Sequence, residues 1–318
     1  MHAVRWILVV ALCWPAVAAA QLIDRTVAHA TIETVQMPAW LERDGRIQPL
    51  AVGMEVRNGD RIRSGAQARV YIGLAEGSTI KLGENALLNF YSRSLKPASN
   101  FKGALDILKG AFRFTTRVSQ RLRSQREVSI RVGTATAGIR GTDLWGKSDA
   151  ARDLILLIEG NIEIRHGGVT YELTEPLTYF AAPRNAPPQA LTGADPESFR
   201  QWARETEVLP GDGAAQRGGK WNLLLVRAGQ QGEALAAYDK ARSAGYAAQV
   251  RVRAATGGKP EKGADWSYEV VLSQLASEQD AAVLADKVRS QLGFDAVPLQ
   301  LGASLNRSGA ATSKRNSP

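Results

Sequence analysis

The side chains best placed to do chemistry in this chain are cations. Arg113, Arg117, Arg121, Arg123 and Arg126 follow one another with no acidic residue between the first and the last. A guanidinium run of this kind suits an anionic partner, either an acidic protein patch or an envelope polymer, because Arg stays charged and forks onto carboxylate or phosphate. Residues 41–140 hold 18 Lys+Arg against 8 Asp+Glu, whereas residues 220–301 hold 10 against 9. The net charge of +9 is therefore carried by the earlier part of the chain.

Groups suited to catalysis or metal binding are scarce. His29 and His166 stand in unrelated contexts, and no pair of histidines has metal-ligand spacing. No Gly-x-Ser-x-Gly elbow is present. Gly219-Lys220 approaches a phosphate loop, but Ala214 occupies the required glycine position and Trp221 replaces Ser/Thr. The single cysteine, Cys13, lies in an apolar run near the N-terminus, so neither disulfides nor thiol chemistry are expected. The expectation is a protein that is not an enzyme and needs no cofactor and no metal.

Elements that could position a binding surface are clearest near the C-terminus, where the chain repeats itself. Asp239-Lys240-Ala241-Arg242-Ser243 recurs as Asp286-Lys287-Val288-Arg289-Ser290, and the same offset maps Leu223 and Leu225 onto Val270 and Leu272. Repeats fix architecture before local assignments do. Each copy reads strand, helix, strand, with helices over 233–244 and 278–292 ending at Gly245 and Gly293. The expected result is a small α+β unit of β-α-β-β-α-β type, ferredoxin-like, with both helices on one sheet face and the other face open. Asn222, Gln249, Arg251, Arg253 and Gln274 are its polar outward candidates.

From Val52 to Ala182 the pattern is one of many short strands. Val70, Ile72 and Leu74 alternate, and further runs cover 87–91, 105–115, 128–132, 154–159, 162–165 and 169–173. Gly160-Asn161 reads as a two-residue hairpin turn and His166 as a hairpin-end residue. The expected fold is all-β, a sandwich or a solenoid-like coil of strands. Gly138 and Gly141 read as positions of positive φ or close backbone approach, with Arg140 and Asp143 pairing across that turn. Pro183–Lys220, rich in Pro and Gly, reads as a flexible tether. Inside it Asp195-Pro196 starts a short helix near 196–208, with Phe199, Trp202 and Ala203 docking on the β domain.

At the N-terminus Arg5 precedes an apolar run from Trp6 to Ala19 that ends in small residues, the pattern of a signal peptide over 1–20. The expectation is an exported, periplasmic protein with no membrane helix in the mature chain and no nucleic-acid partner. A disordered tail is expected over 302–318.

Two stretches resemble known families. "NGDRIRSGAQARVYIGLAEGSTIKLGENALL", "LKGAFRF", "VGTATAGIRGTDLWG" and "LIEGNIEI" resemble the FecR domain in order and spacing. The most specific piece is Thr134 to Asp143, containing Gly138, Arg140, Gly141 and Asp143. The family's founding members place this domain outside the inner membrane, where it relays a signal from an outer-membrane transporter to a cytoplasmic sigma factor. Neither a cytoplasmic N-terminal portion nor an internal membrane helix is expected here. The resemblance therefore implies only an exported β domain, over 21–182, that contacts protein or wall polymer.

"WNLLLVRAGQQGEALAAYDKARSAGYAAQVRV" and "YEVVL", "ASEQDAAVLADKVRSQ", "LGFDAVPLQL" resemble the two halves of a SPOR domain over 220–301. That resemblance implies binding of peptidoglycan glycan strands stripped of stem peptides, chiefly at cell-division sites. Asn222, Leu224, Gln249, Arg251, Arg253, Glu269, Val271 and Gln274 would line the face, with Leu224, Glu269 and Val271 departing from the family pattern. Together the readings describe an envelope protein that holds peptidoglycan with one module and a protein or polymer partner with the other. The alternative is a periplasmic signalling or assembly factor making only protein contacts.

Overall fold

The computed structural model describes residues 29–95, 100–116, 127–139, 141–254 and 266–301. The expected signal peptide and C-terminal tail lie outside the described residues, as do Arg117, Arg121, Arg123, Arg126 and Arg140.

In chain order the first strands are β1 (Ala30–Gln36), β2 (Ala39–Arg43), β3 (Arg46–Pro49), β4 (Glu55–Val56), β5 (Arg61–Ser64), β6 (Arg69–Leu74), β7 (Ser78–Leu82) and β8 (Leu87–Leu95). There follow β9 (Asn100–Thr116), β10 (Glu127–Val132), β11 (Ala135–Ile139), β12 (Asp143–Ser148), β13 (Arg152–Glu159), β14 (Ile162–His166), β15 (Val169–Leu173), β16 (Thr178–Pro183) and β17 (Gln189–Gly193). Helix α1 (Pro196–Thr206) and β18 (Ala214–Gln216) lead into β19 (Trp221–Ala228), α2 (Gln231–Ser243), β20 (Gln249–Ala254), β21 (Trp266–Leu275), α3 (Glu278–Leu292) and β22 (Val297–Gln300).

Of the two expected all-β architectures, the strands up to β17 form the sandwich. One layer runs β1-β6-β7-β9-β12-β13-β16-β17, and the other β3-β2-β5-β8-β9-β10-β11-β14-β15. Strict alternation explains the layering: in β6, Val70, Ile72 and Leu74 are buried while Arg69, Tyr71 and Gly73 face outward. Ile72, Ile80, Phe112, Phe114 and Phe180 from the first layer meet Leu41, Ile62, Phe90, Ile107 and Ile164 from the second in one core. Each such side chain contributes about 1.5–3 kcal/mol by leaving water.

β9 belongs to both layers. Its first part pairs with β8 and β10, whereas Gly110 to Thr115 pair with β12 and Phe112 to Thr116 with β7. Gly110 makes the passage between layers possible: its φ is +88° and a Cβ there would lie 2.5 Å from Ala86 Cα. The Gly160-Asn161 step also joins layers. It does not close a hairpin, because β13 pairs with β12 and β16 while β14 pairs with β11 and β15. The hairpin at His166 is present, with His166 opposite Val169.

The segment expected to be a tether is instead built into the fold. β17 pairs with β16, and β18 pairs with β1 on one side and meets β21 on the other. Asp280, buried near the start of α3, accepts backbone N–H bonds from Gly211 (3.2 Å), Gly213 (3.0 Å) and Ala214 (3.3 Å). Convergence of these amides on one carboxylate is what orders a Gly-rich stretch that composition alone marks as flexible.

The C-terminal unit has the expected β-α-β-β-α-β order, and its four strands form an antiparallel sheet in the order β20-β21-β19-β22. α2 and α3 lie on one face, burying Ala234, Ala237, Ala241, Leu284 and Val288 against Leu223, Leu225, Val270 and Leu272. Gly293 ends α3 in the left-handed conformation, as expected. This unit is packed on the sandwich, and one apolar core is continuous through both. The Gly245 carbonyl accepts from Ala39 N–H, and a Cβ on Gly245 would lie 2.5 Å from Trp40 Cε2 and 2.9 Å from Pro38 Cβ. Lys287 Nζ donates to the carbonyls of Met37 (2.9 Å) and Gln67 (3.3 Å), and burial pushes its pKa below the usual lysine value.

Candidate partner-contact site

Arg113 leads the basic run in the sequence, but it is not a free cation. Its Nε and Nη2 donate to the two Asp143 oxygens at 3.0 and 2.7 Å, and its Nη1 donates to Glu207 at 2.9 Å. The hydrogen bonds and charge of Asp143 hold its pKa above the ordinary arginine value. Arg113 is thus withdrawn from the expected partner-binding cluster, and the other four arginines lie outside the described residues. Asp143 pairs with Arg113 across adjacent strands, so its carboxylate is already committed where a partnership with Arg140 was expected.

Glu207 carries no local sequence signal that would single it out. It directly follows α1 and accepts from Lys81 Nζ at 2.6 and 2.8 Å, from Arg113, and from the Tyr71 hydroxyl at 3.2 Å. Burial pushes its carboxyl pKa up, but Lys81, Arg113 and Tyr71 outweigh that and leave it below the usual value. Burial raises the Tyr71 hydroxyl pKa well above its usual value. Lys81 and Arg113 stand directly opposite each other on β7 and β9, a repulsive pairing unless a carboxylate bridges it. No sequence spacing reveals this, since Glu207 lies 94 residues beyond Arg113.

α1 begins where expected, with the Asp195 carboxylate accepting from Glu197 and Ser198 N–H and Pro196 in the first turn. It docks on the outer face of the first layer. Trp202 stacks on Trp145 at 5.5 Å between centroids and meets Tyr179 edge-on at 5.8 Å. Phe199 packs on the same cluster.

Around the 134–143 motif the glycines behave differently from each other. Gly141 has a φ of +70°, as expected. Gly138 has neither a positive φ nor a close neighbour, since a Cβ there would meet only Glu163 O at 3.9 Å. Thr134 instead serves the buried Asp153, to which its N–H and hydroxyl donate at 2.8 and 2.7 Å. Arg184 grips the same carboxylate with two bonds of 2.7 Å, and Ser148 donates to it as well. Burial pushes the Asp153 pKa up, but these donors hold it below the usual value.

The helix-free face of the C-terminal sheet is only partly the open surface expected. Asn222, Leu224, Glu269 and Val271 are buried, whereas Gln249, Arg253 and Gln274 are exposed and Arg251 is half-buried. Arg227 and Arg253 close on the two oxygens of Glu269 at 2.7 and 2.9 Å, a clasp across three strands. Leu224 and Val271 lie side by side in register. Arg251 donates to Ser273 Oγ at 2.7 Å and reaches Asn222 at 3.5 Å. Gln274 sits at the end of β21 with a φ of +64°. Arg227, absent from the expected set, is central to this lattice.

His29 contacts Ser92, and His166 Nε2 lies 3.1 Å from Thr134 Oγ1, so the two histidines belong to separate parts of the sandwich. Among the described residues no group of three or more His, Cys, Asp or Glu could hold a metal ion. No helix among them is long and apolar enough to cross a membrane.

The span from Asp60 to Glu163 covers β5 through β13 and enters β14, the greater part of the sandwich. Residues 60–163 match the family described as FecR protein. The matched residues include Tyr71, Lys81, Arg113 and Trp145, on which α1 and Glu207 rest. Two crystal structures, each of a Parabacteroides distasonis ATCC 8503 protein proposed to be an anti-sigma factor, are similar to this chain. One is 12% identical, with a TM-score of 0.38, and covers 45% of this chain and 64% of its own. The other is 10% identical, with a TM-score of 0.38, and covers 73% and 91%. The chain thus spans less than two thirds of the first. No curated protein matches the chain.

Proposed function

We propose that this chain is an exported, non-catalytic signalling or assembly factor of the cell envelope, working through protein contacts of its FecR domain. The match of residues 60–163 to the FecR family carries this reading, and the matched strands form most of the sandwich. Periplasmic export is supported by the apolar run from Trp6 to Ala19 behind Arg5. The test is photo-crosslinking in cells from exposed sandwich positions such as Tyr91 and Thr170. Discrete protein adducts are expected; adducts containing only glycan would sink the reading.

A second reading, adhesion to peptidoglycan through a SPOR-like C-terminal unit, is favoured by one observation. The β20-β21-β19-β22 sheet carries its helices on a single face. Arg251, Arg253 and Gln249 are the groups that could still meet a glycan. Full-length protein should then co-sediment with sacculi stripped of stem peptides. Equal retention of an Arg251→Ala/Arg253→Ala variant removes the glycan claim.

A further inference from the structure

On the outer face of the first layer, one cross-strand row runs through Tyr71, Lys81, Arg113, Trp145, Leu156 and Tyr179, each the register partner of the next. α1 and Glu207 lie along this row. Phe199 and Trp202 cover its apolar half, and Glu207 sits on its cationic half.

Three features set this contact apart from core packing. Ala111, Trp145, Leu154 and Leu156 form a buried cluster of their own, separate from the main core. Within α1 only Thr206 is buried, whereas Trp145 beneath the helix is 1% exposed. Trp145 Nε1 is also buried without a hydrogen-bond partner among the described residues, an unmade bond that leaves α1 an imperfect cover. An 11-residue helix has little stability of its own.

We propose that this row is a helix-docking groove, occupied by α1 within the chain and open in exchange to an amphipathic helix of a partner protein. That helix presents two aromatic side chains three residues apart and a carboxylate five residues beyond the second, the spacing of Phe199, Trp202 and Glu207. Aromatic area supplies affinity on the Trp145 side. Charge selects the carboxylate on the other, because Lys81 and Arg113 repel each other once Glu207 leaves. All of the row except Tyr179 lies within the FecR match, and the groove rests on the protein-contact reading. Crosslinks that recover only glycan remove that reading, whereas a failed peptide titration removes the groove alone.

The probe is a fluorescent peptide of residues 194–209, titrated against the full chain and a Phe199→Ala/Trp202→Ala variant. Removing the internal helix's anchors raises the fraction of open grooves, so the variant should bind about tenfold or more tighter than wild type. Adding Trp145→Ala, or placing Trp202→Ala in the peptide, should abolish the gain. A folded variant that binds no better than wild type overturns the proposal. Hydrogen exchange on the unaltered protein is the second measurement, in case the variant does not fold. Amides of 196–206 should exchange well before those of β12 and β13; equal protection overturns the groove.

Discussion

Arg113 and Trp145 face each other directly across β9 and β12, and they hold two parts of one segment: the guanidinium grips Glu207 while the indole stacks on Trp202. Glu207→Ala therefore strands Lys81 opposite Arg113. The expected loss is about 1–2 kcal/mol, since the carboxylate is only part-buried. Glu197→Ala, on an exposed pair with Arg200, should cost less than about 0.5 kcal/mol. Urea midpoints of the two variants test this, and equal shifts would refute it.

Acid should weaken the fold through Asp153 and Glu207. Both have folded pKa values below their ordinary ones, so their contribution is complete above the ordinary carboxylate range and fades as pH falls through the lowered values. The melting temperature should be level from about pH 7 to 5 and fall below about pH 4. Asp153→Asn should lower stability at neutral pH and flatten the acid limb; an unchanged limb would exclude Asp153 as its source.

Two glycine substitutions should behave oppositely. Gly245→Ala pushes a Cβ into Trp40 and Pro38 at a φ of +88°, at an expected cost of about 1–3 kcal/mol. Gly138→Ala meets Glu163 O at an ordinary van der Waals distance of 3.9 Å and should change stability by less than about 0.5 kcal/mol. Thermal melts of both variants decide the matter.

Asp280→Ala leaves three backbone donors of 211–214 without their acceptor, at a cost of about 1–3 kcal/mol. Limited proteolysis should then cut near 207–219 faster than in wild type. Unchanged cleavage would mean that β18 alone holds the segment.

What the sequence revealed follows from the range of the interactions involved. The β-α-β-β-α-β order and the α1 N-cap are local, written in the doubled Asp-Lys-x-Arg-Ser pattern and in Asp195-Pro196. The sandwich strands are local too, because Val70, Ile72 and Leu74 alternate. Gly160-Asn161 carries the letters of a tight turn, yet which layer β14 joins is decided by β11 and β15. Arg113 looks free because its acid lies 94 residues away, and 211–214 looks loose because Asp280 is 66 to 69 residues distant. In the C-terminal sheet, Leu224 and Val271 are apolar in sequence and buried in the fold, so their departure from the expected polar face was visible from the start.

β9 gives the sandwich a mechanical property that stacked sheets lack. One continuous backbone passes through both layers at Gly110, so sliding one past the other has to turn the dihedrals of this crossing as well as reshuffle side chains. The strand that carries Arg113 beneath Glu207 is thus the same one that pairs with β8 and β10 in the opposite layer.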